Sequence, residues 1–152
     1  LFALSILILS SRETLSDEHA TRIDRYIRSG FATALSELKP VAARGDAIVN
    51  YNLGVISYLK EPKQSVKWYR LAAEQGYPAA QFNLGLMYKA GRGVPQDDVA
   101  AYMWLNLATA YSVGEAQVRA ANVLNAVAAR MNDEQVAEAQ RRTLEWVGNR
   151  SR

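Results

Sequence analysis

The pentapeptide NYNLG at Asn50–Gly54 returns 31 residues later as QFNLG at Gln81–Gly85, but Trp68 returns only after 36 residues, as Trp104. YRLAAE follows the first tryptophan and LNLATA the second. Similarity within one chain at a period in the thirties marks small helical units, each burying its apolar face only by stacking on a neighbour. The two spacings locate the difference between the copies. Gly54 to Trp68 is 14 residues and contains YLKEPKQS, whereas Gly85 to Trp104 is 19 and contains KAGRGVPQDD. The flanking segments repeat and the connector has been shortened, as expected if the connector is a surface loop between two packed helices.

Apolar residues on both sides of that connector keep helical time. Ala80, Leu84 and Tyr88 fall four apart, as do Val99, Met103 and Leu107. Pro78 is placed to open a helix and Gly76 to end one. Gly91 and Gly93 supply the backbone freedom of the longer turn; Pro95 then starts the second helix, with Asp97 and Asp98 in its first turn, and Pro62 does the starting alone in the shorter copy. Gly54 and Gly85 lie inside first helices, where glycine costs about 1 kcal/mol against alanine. Close crossing by a neighbouring helix, allowed by Ala72, Ala73 and Ala108, accounts for that cost; a flexible hinge is the alternative.

Ala80, Leu84, Gly85 and Tyr88, then Gly91, Gly93, Val94 and Asp97, then Ala101 and Trp104 resemble the pattern of the Sel-one-like repeat family, short relatives of the tetratricopeptide repeats. The preceding unit shares Leu53, Gly54, Trp68, Ala72, Ala73 and Gly76 but lacks the glycine-bearing loop and has Ser57 where the pattern has tyrosine. The resemblance implies an all-α right-handed alpha-alpha superhelix, a short solenoid of antiparallel helix pairs. It also implies a non-catalytic scaffold or adaptor that takes a protein or peptide on its concave face. Exported bacterial members of the family serve envelope or host-facing interactions.

On this reading residues 46–76 form the repeat with the clipped connector and residues 77–112 the full repeat. Residues 113–152 supply capping helices, the last opened by a capping box of Asn132 and Gln135. Residues 13–45 resemble a degenerate first pair, with a helix to about Arg28, a turn at Gly30, and a second helix to Arg44 that Pro40 kinks or shortens. Residues 1–12 contain the apolar run Leu1–Leu9. At nine residues it is too short to span a bilayer, which takes roughly 20, and it has the length of a signal-peptide apolar region. A periplasmic or secreted protein is therefore expected, the alternatives being a short apolar helix packed on the first repeat and a cytoplasmic protein. The chain also reads as a fragment of a longer array.

The remaining chemistry is sparse. A net charge of +3, from 18 basic and 15 acidic residues mostly interspersed, gives no footprint for nucleic acid. Arg141, Arg142, Arg150 and Arg152 read as a solvated helix end. The chain has no cysteine and a single histidine, His19, so thiolate and multi-histidine metal sites are excluded and no cofactor is expected. Hydrolase activity, proposed for cysteine-rich relatives, has no constellation to carry it here. Asp97 and Asp98 read as helix-start residues rather than paired catalytic carboxylates. Candidate contact residues are the polar positions of each first helix, Asn50, Asn52, Gln81 and Asn83, together with Tyr51 and Phe82, which share one slot in successive units.

Overall fold

The computed structural model describes residues 29–151 apart from 31, 35 and 41; His19 and the apolar run Leu1–Leu9 lie outside the described residues. The chain divides into two units, Leu1–Glu37 and Leu38–Arg152. In the first, the described residues from 29 onward are helical, Gly30 included, where the sequence predicts a turn. Thr33 and Ser36 direct their hydroxyls to the carbonyls of Ser29 and Thr33, at 2.9 and 2.8 Å, bonds that suit helical backbone. In the second unit Pro40 and Ala42 are both helical, and the chain closes in a turn on Gly45 (φ 81°).

Six helices follow: α1 (Ala47–Ser57), α2 (Pro62–Glu74), α3 (Pro78–Ala90), α4 (Asp98–Tyr111), α5 (Gly114–Ala128) and α6 (Asp133–Arg150). The described residues contain no strand. Pro62 and Pro78 open α2 and α3, where their missing N–H groups have no intrahelical partner to lose. Asp46 caps α1, its Oδ1 accepting from Ile48 N (2.8 Å) and Val49 N (3.2 Å). At α4 the expectation needs correcting, because Pro95 does not start the helix. Asp97 is the N-cap, its Oδ1 accepting from Ala100 N (2.9 Å), while its own N–H returns to the Tyr88 carbonyl (3.1 Å) and keeps Pro95 and Gln96 in the connector.

Helices α1 and α2 pack as one hairpin, α3 and α4 as the next, and α2 packs on α3. The two glycines occupy matched close approaches. A Cβ on Gly54 would come within 2.4 Å of Tyr69 Cδ1, and one on Gly85 within 2.7 Å of Leu105 Cγ. Tyr69 and Leu105 stand one place after Trp68 and Trp104, so the repeated sequence is a repeated contact. Both glycines therefore mark crossings, made by Tyr69 and Leu105 rather than by the alanines. Ala72, Ala73 and Ala108, all fully buried, fill the core nearby with Val66, Leu84, Met87, Trp104 and Leu107.

The longer connector ties the hairpins together. Gly93 (φ 72°) lies so close to the Pro62 carbonyl that any side chain would collide with it. Arg92 stacks its guanidinium over the Tyr58 ring (4.4 Å) and donates to the Tyr58 carbonyl (3.0 Å). The full connector of the second hairpin thus rests on the clipped connector of the first hairpin.

At the other end, α5 continues the register of α1 and α3. Ala120 takes the buried slot of Leu53 and Leu84, and Ala121 the glycine slot. Helix α6 then packs on α4. Trp146 meets Trp104 edge-on at 6.3 Å, and Arg150 donates to the Glu74 carbonyl at the end of α2 (2.6 Å). Arg150, exposed as a solvated helix end is, is therefore also a cation capping another helix's C-terminus. Asn132 and Gln135 form the expected capping box, with bonds of 2.8 and 3.0 Å.

Candidate binding groove

The first helices of successive units, α1, α3 and α5, line two adjoining clefts that share Tyr51 and Asn83. The larger, about 430 Å³, is lined by Tyr51, Tyr77, Phe82, Tyr111 and Val113 together with Asn83 and Arg119. The smaller, about 310 Å³, continues past Asn83 to Val55, Tyr58, Tyr69 and Leu86. Together they make one groove across three helices, mostly apolar and aromatic.

Residues predicted from the sequence divide sharply here. Tyr51 and Phe82 do occupy one slot on successive helices, and both line the groove. Tyr51 is held by tilted contacts to Tyr69 (5.9 Å) and Tyr77 (5.1 Å). Asn83 lies in both clefts and shares the smaller one with Tyr69. Asn52 is exposed but is not part of the lining. Asn50 and Gln81 are buried, 1 % and 0 % exposed, and therefore do not face a ligand.

Gln81 has a structural task instead. Its Nε2 donates to the Ala73 carbonyl (3.2 Å), one of the last four of α2, alongside the Gly76 N–H of the following turn (2.9 Å). Gln117, at the same slot of α5, donates to the Thr109 carbonyl near the end of α4, again at 3.2 Å. A polar residue between apolar ones reads as exposed from periodicity alone; here it is the clasp between units.

Sequence reasoning missed Tyr77, Tyr111, Val113 and Arg119. Arg119 was within reach, because the 36-residue period carries Asn83 onto it, as it carries Leu84 onto Ala120. Loss of the Leu-Gly pair in α5 hid that register.

The groove's electrostatics follow from burial. Tyr69 is 3 % exposed, and its removal from water pushes its hydroxyl up to about 12, with the neighbouring Asn83 side chain offsetting only part of that effect. Arg119 is the single charged residue among those lining the two clefts. Elsewhere, Asp97 and Asp98 border a separate cleft with Tyr88 and Gln135. Asp98 forms a two-pronged ion pair with Arg130, whose guanidinium also donates to the Lys89 carbonyl (3.2 Å). Both aspartates thus hold helix ends. Among the described residues no group of His, Cys, Asp and Glu converges to hold a metal, and no helix is long and apolar enough to cross a membrane.

Comparison with known proteins bears on the repeats and the helical fold. The family model for the Sel1 repeat matches residues 47–77 and 78–110. Chitin synthase regulatory factor 3 of Schizosaccharomyces pombe is 35% identical over 69 residues, 44% of this chain and 7% of that protein. An F-box protein of Arabidopsis thaliana is 44% identical over 54 residues, 33% of this chain and 15% of that one. The chain therefore spans a small part of the length of either relative. Among solved structures, c5321, described as a protective antigen present in uropathogenic Escherichia coli strains displaying an SLR fold, superposes with a TM-score of 0.67. It is 28% identical, over 75% of this chain and 25% of its own. A Sel1 repeat protein from Oxalobacter formigenes covers 74% of this chain and 98% of its own at 29% identity, with a TM-score of 0.47. Residues 47–77 and 78–110 are thus two Sel1 repeats, and the helical stack they build is a Sel1-like repeat solenoid.

Proposed function

We propose that this protein is a non-catalytic scaffold that holds a protein or peptide segment in the groove across α1, α3 and α5. One observation carries the reading. Tyr51, Tyr77, Phe82 and Tyr111 converge from separate elements on one cleft, leaving an aromatic surface with few polar groups, the composition that anchors protein contacts. Val113 is 83 % exposed beside it, an apolar side chain that a partner would cover. Contact residues are Tyr51, Phe82 and Asn83, with Tyr77, Tyr111 and Arg119 added, and Asn52 on the rim.

The test is site-specific photocrosslinking in the native host. A crosslinking residue at Asn52 or Val113 is expected to capture one discrete partner, while the same residue at Leu144, an exposed position on α6, captures none. Equal labelling at all three positions would remove the groove as the binding face. The apolar run Leu1–Leu9 further supports a periplasmic or secreted site of action, which cell fractionation would check.

A further inference from the structure

Asn52, Asn83 and Arg119 occupy one slot on three successive first helices, and Tyr51, Phe82 and Val118 occupy the slot before it. A polar line therefore runs beside an apolar one. Asn83 offers both a donor and an acceptor, which suits a peptide backbone that has not satisfied itself in a helix. Arg119 makes no hydrogen bond or ion pair with another described residue, and Glu115, one turn earlier, stays outside the lining. A basic segment laid over Arg119 would be repelled and an apolar one would strip water from the guanidinium and return nothing, whereas a carboxylate would pair with it through charge-assisted bonds about twice as strong as those a neutral carbonyl accepts.

Resting on the groove reading above, we propose that the ligand is an extended internal stretch of an acidic protein. Asn83 binds its backbone, the Tyr51–Tyr77–Phe82 surface receives an apolar side chain, and Arg119 pairs with an Asp or Glu side chain. An internal stretch fits better than a chain end. The lining continues from Arg119 to Ala116 and Val113 and, in the other direction, past Asn83 to Val55 and Leu86, so it has a track on both sides.

The experiment is selection from a phage-displayed random dodecapeptide library whose peptides are joined to the coat protein at their C-termini, so that no terminal carboxylate is free. Expected are pools rich in Asp and Glu beside an aromatic or aliphatic residue. A selected peptide, synthesised with both ends blocked, should bind Arg119→Glu at least about tenfold more weakly than the parent, the scale of one lost charge-assisted contact. Arg119→Gln serves as the milder variant if circular dichroism shows the first to be misfolded, and a loss of several-fold is expected from it. Pools without an acidic bias, or unchanged binding by a folded variant, overturn the proposal. So does success only with a library bearing free C-termini. If groove crosslinks persist while no acidic peptide is selected, the acidic ligand is wrong and the scaffold stands; loss of both removes the scaffold too.

Discussion

At the residue scale, glycine reports the repeat most directly. Gly54, Gly85 and Gly148 are all helical, but only the first two face a neighbouring side chain within van der Waals distance. Gly54→Ala and Gly85→Ala are expected to lose roughly 1 kcal/mol net, an overpacking cost of about 1–3 kcal/mol exceeding the helix-propensity gain of about 1 kcal/mol. Gly148→Ala, with open space around it, should instead gain up to about 1 kcal/mol. Urea unfolding of the three variants checks the sign, and three changes of like sign would contradict the close crossings. Tyr69 gives a second residue-scale test. Its folded pKa, about 12, lies above the ordinary 10.0, so the fold favours the neutral phenol. That stabilisation is fully present below pH 10 and is lost as pH rises through about 12, because the unfolded chain releases its proton first. The loss is on the order of 2–3 kcal/mol at most. Tyr69→Phe should flatten this fall between pH 10 and 12 in parallel unfolding titrations.

Helix ends rather than helix interiors decide the scale of elements. Asn132 satisfies a free N–H of α6, and its own N–H is satisfied by Gln135; Asn132→Ala is expected to cost about 1 kcal/mol. The loss should appear in thermal unfolding. Within α6, charge acts between successive turns. Arg141 and Arg142 both bond to Glu138 and hold its carboxyl down to about 2. The capping box was legible because it is contained in four consecutive residues. The start of α4 was not, because Asp97 takes its position from a bond to Tyr88, nine residues earlier, and the sequence around Pro95 does not display that bond.

Over the whole molecule, stability is a matter of who stacks on whom. Helix α4 packs on α3, α5 and α6, whereas the first half of α5, Glu115 to Arg119, is exposed throughout. Native-state amide exchange is expected to be slowest at Leu105–Ala108 and much faster along Glu115–Arg119, since local opening follows the number of packed neighbours. Equal protection in the two stretches would mean that α5 is covered by something the described residues do not include.

The sequence by itself determined the repeat: two hairpins, their helix type, the clipped connector, and Tyr51 and Phe82 sharing a slot. All of these follow from spacing within one unit, and spacing is a property of neighbours along the chain. Only the tertiary structure decided that Gln81 fastens α2 while Asn83 faces the groove, and that Arg119 supplies its one charge. Only the structure, too, brought Arg150 back to the end of α2. Each of these depends on groups brought together from distant parts of the chain, and burial is set by those groups, not by the local pattern of apolar residues.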